Sequence, residues 1–268
     1  MSRPRLDTIR PGILEYGKLT SLEVEVAAAS GALLILPVGA CEQHGDGLPL
    51  STDSIRADHV SLAVASAIGE DHRSPQAFVL PTLGFGISPH HGNLPGTISL
   101  DPRIFIDTVV AIASQLADAG FTRLLVVTGH GGNLAALGVA SQVLLASHPQ
   151  FAFAYSPVSG LATEATASLT RTEVSGHSGE SETAQMLAIA DTLVDAAHLN
   201  PGATALDDLG PHARLSRTKS PTTAVTFEQY ADNGVLGDPT TATAADGRRI
   251  LAEVVAKLTS YARQMLAV

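Results

Sequence analysis

The sequence has no tryptophan, a single cysteine (Cys41) and only 4% aromatic residues. One cysteine excludes an internal disulfide and suits a reducing compartment. Basic residues are scarce: 16 Lys and Arg stand against 26 Asp and Glu, giving a formal charge of −10 and a pI near 5.4. That balance excludes a nucleic-acid binder, which needs a basic face to displace counterions, and a partner of anionic membrane surfaces. No apolar run reaches the length of a membrane span, and no apolar segment follows Met1-Ser2-Arg3-Pro4-Arg5 as in a secretory signal. The G-x-G-x-x-G and P-loop phosphate motifs are missing, as is the G-x-S-x-G elbow of serine hydrolases. These absences predict an acidic cytoplasmic protein. With 45% hydrophobic residues, its 268 residues can build a sizeable core as one domain, 1–268.

Strand-like and helix-like stretches alternate. Leu33–Val38 and Arg123–Thr128 read as buried aliphatic strands, Ala77–Leu80 and Phe151–Tyr155 as shorter ones. Ser54–Ile68, Pro102–Ala119, Leu134–Ala146, Glu182–Ala190 and Asp246–Leu266 have helical spacing, and Gly120 suits a helix terminus. Such alternation predicts βαβ units with a mostly parallel sheet, covered by helices on both faces in an α/β/α sandwich. The 202–233 stretch, rich in Thr, Pro and Asp, is expected to be an irregular excursion. In open parallel sheets ligands bind beyond the carboxyl ends of the strands. Glu42 and His130 both follow such ends.

Glu42-Gln43-His44 leaves the first strand, with Asp53 at the end of the same loop. Oxygen and imidazole donors of this kind suit zinc, manganese or iron, although a short polar loop would carry the same residues harmlessly. Gly129-His130-Gly131-Gly132-Asn133 lets the backbone pass close to a ligand, and Asn133 could cap the next helix. In His177-Ser178-Gly179-Glu180-Ser181-Glu182-Thr183, Glu182 should lie in the first turn of a helix, where an acid is favoured by the dipole alone. Only one of Glu180 and Glu182 need face a site. The Ser88-Pro89-His90-His91-Gly92-Asn93 loop is too rich in polar residues for plain packing. Adjacent histidines diverge, so one of them, His91, and Asn93 are expected to touch substrate. Cys41 has no neighbouring base and reads as a small buried residue.

As a set, these segments resemble the creatininase family of metal-dependent amidohydrolases. The matching stretches are Leu36 to Gly45 with Asp53, Pro95-Gly96-Thr97, Gly129 to Asn133, His177-x-Gly179-x-x-Glu182-Thr183, and Gly234 to Pro239 leading into Gly247-Arg248-Arg249. They run in the family's order along most of the chain. The resemblance implies a three-layer α/β/α subunit, a homo-oligomer (often a hexamer), and two divalent metal ions per subunit. Glu42, Asp53 and His130 would hold one ion. His44, Asp53 and an acid would hold the other. Creatininases proper place that acid two residues after the glycine-flanked histidine, where this chain has Gly132, so Glu182 takes the role. A metal-bridging hydroxide would attack an amide carbonyl, with His177 giving a proton to the leaving nitrogen. Gly131 and Gly132 would leave room for substrate beside His130. Creatininase closes tryptophans over its flat substrate, and a chain without Trp points away from creatinine. A small or cyclic amide is expected. The alternatives are a peptide, since 234–249 looks most like the branch that trims the mycofactocin precursor, and a metal-binding protein without turnover.

Overall fold

The computed structural model describes residues 9–70, 77–169, 172–217 and 223–268. Met1–Arg5 and part of the 202–233 stretch lie outside the described residues. The sheet is all parallel, in the order β2 (Ala77–Val79), β1 (Leu33–Val38), β3 (Arg123–Thr128), β4 (Ala152–Pro157). Leu33–Val38 of β1 and Leu124–Val127 of β3 are unbroken apolar runs because each strand faces a helical layer on both sides. Leu34, Leu36, Leu124 and Val126 point into one buried cluster with α1 (Ser21–Ala29), α3 (Pro102–Asp118) and α4 (Leu134–Ser147). Leu33, Ile35, Leu125 and Val127 point into the other with α2 (Thr52–Gly69), α6 (Glu180–Ile189) and α8 (Ala244–Ala267). The period-2 alternation of the strands thus generates the three layers.

Helix α1 has no clear apolar face and was not expected from periodicity. It is fixed at its start by a reciprocal capping box between Thr20 and Glu23, and Arg10 clamps the Glu23 carboxylate at 2.8 Å. The excursion carries a satellite core of Val174, Ala203, Leu209, Ala213, Phe227 and Leu236, with α7 (Pro211–Ser216) on it. Asp53 differs from its expected place at a loop end. It is the second residue of α2, because Thr52 bonds back to Pro49 through both its N–H and its hydroxyl and starts the helix early.

Short helix α5 (Thr163–Ala167) follows the Ser159–Gly160 turn that borders the main cavity. Its cap position is Ala162, which has no acceptor side chain. Glu253 of α8 fills that role across the fold, accepting from Ala165 N at 2.7 Å and Glu164 N at 3.3 Å while pairing with Lys257. The Lys257 bond, followed by these backbone donors, lowers the Glu253 carboxyl from 4.5 to about 2. A carboxyl with a lowered folded-state value stabilises fully above its ordinary value, and less as the pH falls toward the lowered one. Glu253→Gln should therefore have a lower Tm than wild type at pH 7, and the gap should narrow as the pH drops from 4.5 toward 2. Thermal melts across that range check this; a gap independent of pH would mean that the contact is not ionic.

Candidate metal centre and catalytic cavity

The ends of β1 and β3 and the start of α2 meet at one rim of the sheet. Gly129 makes the approach possible, since a Cβ there would lie 2.1 Å from Asp53 O. Glu42, His44, Asp53 and His130 are all buried, at 5% exposure or less. Asp53 sits between the two histidines, with Oδ1 3.5 Å from His44 Nε2 and Oδ2 3.2 Å from His130 Nδ1. Glu42 lies 3.3 Å from His130 and 3.3 Å from His177 Nδ1. Glu182 Oε2 stands 3.8 Å from His44 Nε2. The three distant segments converge, at the foot of a cavity of about 520 Å³.

Backbone carbonyls set the orientation of three rings. His44 Nδ1 donates to Glu42 O at 2.9 Å, His130 Nε2 to Ile87 O at 3.0 Å, and His177 Nε2 to Gln43 O at 2.7 Å. A carbonyl can only accept, so each bond leaves the opposite ring nitrogen facing inward as the one that takes a proton or a metal ion. The outer bonds and the inward acids are what imidazole metal ligands require. Both Glu42 oxygens and His44 Nε2 are buried with no hydrogen-bonding partner. Sets of ligand atoms close enough to share an ion comprise Glu42–Asp53–His130, Glu42–His44–His177 and Glu42–His90–His91. The residues present therefore fit a divalent cation.

Electrostatics agree with that donor set. Burial pushes the Glu42 carboxyl up to about 7, against the pull of His130. Burial lowers His44 and His130, but Asp53 outweighs it and holds each at about 9. Asp53 itself is held well below the usual carboxylate range: burial opposes this, and the two histidines prevail. Burial, then His44, lowers His177 to about 3, so its ring is neutral at pH 7. The acids thus retain protons on the inward histidines, where cations can replace them.

Several positions differ from expectation. Adjacent His90 and His91 do not diverge: both Nε2 atoms approach Glu42, at 3.9 and 3.5 Å, because a tight turn of 3-10 helix places both rings on one side. Asn93 is turned away, outside the cavity lining, and donates to Glu228 at 3.1 Å. Asn133 does not cap α4 with its side chain. It is fully buried and ties three segments together, donating to Gly39 O and Thr128 Oγ1 and accepting from Ile87 N. Cys41 is half-buried, its thiol 3.7 Å from Gly96 O. A Cβ at Gly131 would meet nothing within 4 Å, whereas one at Gly132 would lie 2.3 Å from His130 Nε2 and 2.4 Å from Ile87 O. Of the two candidate acids, Glu182 is the one beside His44. One Glu180 oxygen accepts from Thr172 N and Asp238 N, at 3.2 Å each.

Sequence reasoning passed over Arg56. Its side chain is fully buried, and Nη1 lies 2.7 Å from Glu182 Oε1, 3.4 Å from Asp53 Oδ1 and 3.3 Å from Gly129 O. Gln185 and Ser159 hold the rest of the guanidinium. The available signal was a lone arginine one helical turn after Asp53, on the inner face of α2. Phe227, stacked on His91 at 4.0 Å, was missed as well.

A profile of the creatininase family, described as creatinine amidohydrolase, matches residues 17–262. The mycofactocin precursor peptide peptidase of Mycolicibacterium smegmatis is 34% identical over 228 residues, covering 83% of this chain and 81% of its own. The creatinine amidohydrolase of Pseudomonas putida is 38% identical over 123 residues, 44% of this chain and 45% of its own. Among solved structures, a creatinine amidohydrolase superposes with a TM-score of 0.80 at 26% identity, covering 95% of this chain and 98% of that one. A manganese creatininase and a mutant creatininase of Zn-Zn type superpose with TM-scores of 0.77 and 0.79, both at 27% identity. Each covers 95% of this chain, and 99% and 98% of theirs.

Removing the Arg56 guanidinium from this buried network leaves Glu182 without its main counter-charge. Breaking a buried ion pair on one side costs on the order of 3–5 kcal/mol. Arg56→Met should lose about that much stability in urea titrations of the metal-free protein. A loss below about 1 kcal/mol, the range of exposed pairs, would show that the pair is not coupled to folding.

Proposed function

The chain belongs to the creatininase family, hydrolases of C–N bonds, and from that premise we propose that it cleaves a peptide amide with two divalent ions. Glu42, Asp53 and His130 would hold one ion, and His44, Asp53 and Glu182 the other. The inward nitrogens of His44 and His130 on either side of Asp53 are the observation that carries this reading. The donor set accepts zinc, manganese or iron, and the manganese and Zn-Zn forms of creatininase support the first two. When bound, such ions supply a water of lowered pKa and Lewis acidity toward a carbonyl.

The chain's own residues do the rest. His177, neutral and pinned at Nε2, presents Nδ1 toward Glu42. It enters as an acceptor: a proton taken at Nδ1 from the attacking water can then pass to the leaving nitrogen. Gly131 and Gly160 leave the cavity wall open for a main chain, and Ser159 and Ser175 offer polar contacts along it. A peptide substrate is supported by this open wall and by the likeness to the mycofactocin precursor peptidase over most of both chains. A small or cyclic amide is the second reading, favoured by the flat Phe227–His91 stack beside the site. Exposed apolar residues on α4 and β4, among them Val139, Val143, Leu145 and Tyr155, support a homo-oligomer, which light scattering would measure directly. Among the described residues no helix is long and apolar enough to cross a membrane.

Incubation of the zinc- or manganese-loaded protein with a peptide panel, creatinine and simple cyclic amides tests the substrate reading. Peptide cleavage that a chelator abolishes is expected. Turnover of cyclic amides alone would select the second reading. Asp53→Asn should lose metal and activity together. His177→Ala should keep its metal, by elemental analysis, while kcat falls about 10²–10⁴-fold. Metal loss from that variant would reassign His177 as a ligand.

A further inference from the structure

Glu42 has more bonding capacity than the two-ion site uses. Both its oxygens are buried without a hydrogen-bonding partner. Oε1 lies 3.3 Å from His177 Nδ1 and 3.5 Å from His91 Nε2, and Oε2 lies 3.3 Å from His130 Nε2, the nitrogen already bonded to Ile87 O, and 3.9 Å from His90 Nε2. His91 differs from the other buried histidines. It is 1% exposed, yet neither of its ring nitrogens has a hydrogen-bonding partner, while His44, His130 and His177 are each anchored to a carbonyl. Burying an imidazole with both nitrogens unmet is costly unless a ligand satisfies it. Half-buried His90 brings its own Nε2 to 3.9 Å from Glu42. Ligand atoms of Glu42, His90 and His91 all lie within 4.8 Å of one another. Phe227 closes the apolar side by stacking on His91.

We propose that His90, His91 and Glu42 form a third divalent-cation site, suited to zinc and sharing Glu42 with the two-ion site. It rests on that reading only for the sharing. Two imidazoles and a carboxylate with an open position are the donor set of an open zinc site. Zinc–ligand bonds of about 2.0–2.2 Å place ligand atoms roughly 3.3–3.6 Å apart. The separations at His91 (3.5 Å) and His90 (3.9 Å) come close to this, and His90, on a half-buried turn, can supply the remaining movement. The site binds more weakly than the other two, because the Glu42 charge is divided. Its open position faces the cavity, where a donor atom of the bound substrate or a water completes it.

Equilibrium dialysis against buffered Zn²⁺ alone, followed by elemental analysis, tests the assignment. At saturation the wild-type protein should hold one zinc per chain more than His90→Ala, and one more than His91→Phe. The difference is read whatever the total: a total of two in wild type and one in the variants would remove the two-ion reading and leave the third site standing. Equal stoichiometry in all three proteins overturns the proposal. Loss of all zinc from both variants overturns it too, because these histidines would then belong to the principal site. His90→Ala changes a half-buried turn residue, and circular dichroism verifies that it is folded before dialysis.

Discussion

Three acids, Glu42, Asp53 and Glu182, are confined at one rim of a parallel sheet, and their charge is the constraint around which the site is organised. An unpaired carboxylate in such a place costs several kcal/mol and neutralises itself instead. Each acid meets that cost differently. Asp53 stays ionised between His44 and His130. Glu182 is held by Arg56 and by Ser178 N at 2.8 Å. Glu42 also lies among histidines, but His177, His91 and His90 are neutral and the pull of His130 does not outweigh burial, so its carboxyl is the one pushed up toward neutrality. The least satisfied acid is therefore also the one where incoming cations gain most.

The rings can serve this purpose only because the backbone holds them from behind. Glu42 O, Gln43 O and Ile87 O each accept from one histidine. Two of these carbonyls belong to the Glu42–His44 segment itself. The same turn thus brings Glu42 and His44 to the cluster and fixes the tautomers of His44 and His177. Asn133 extends the bracing from β3 to the Gly39 and Ile87 segments. An asparagine cap on α4 would have used the same amide for a local bond. Tertiary bracing takes precedence because all of its partners are buried.

Much of this was legible in the sequence because it depends on local rules. The two central strands are aliphatic on both faces, and the glycine-rich turns sit where strands end, so the sheet and the place of the site follow from pattern. The Glu/His/Asp clusters also announce themselves by residue type. What stayed hidden depends on long-range partners. Helix α1 has no apolar stripe, and only the Thr20–Glu23 pair marks it. Arg56 looks like an ordinary helix-surface charge until Glu182, 126 residues later, is brought against it. Whether adjacent histidines diverge depends on the turn that carries them, and that turn became visible only in the structure.

Packing at one glycine bears on where an acid can approach the histidines. At Gly132 any Cβ would press on His130 Nε2 and on Ile87 O, the bond that orients the His130 ring. A carboxylate grafted there would disturb the ring it is meant to complement. Supplying the acid from α6 avoids the clash, but it brings Glu182 in from a different element, with its own charge to be held. Arg56 does this from α2, one turn beyond Asp53, and its guanidinium reaches both acids at once. Packing at Gly132 and the Arg56–Glu182 pair thus meet at the same rim of the sheet.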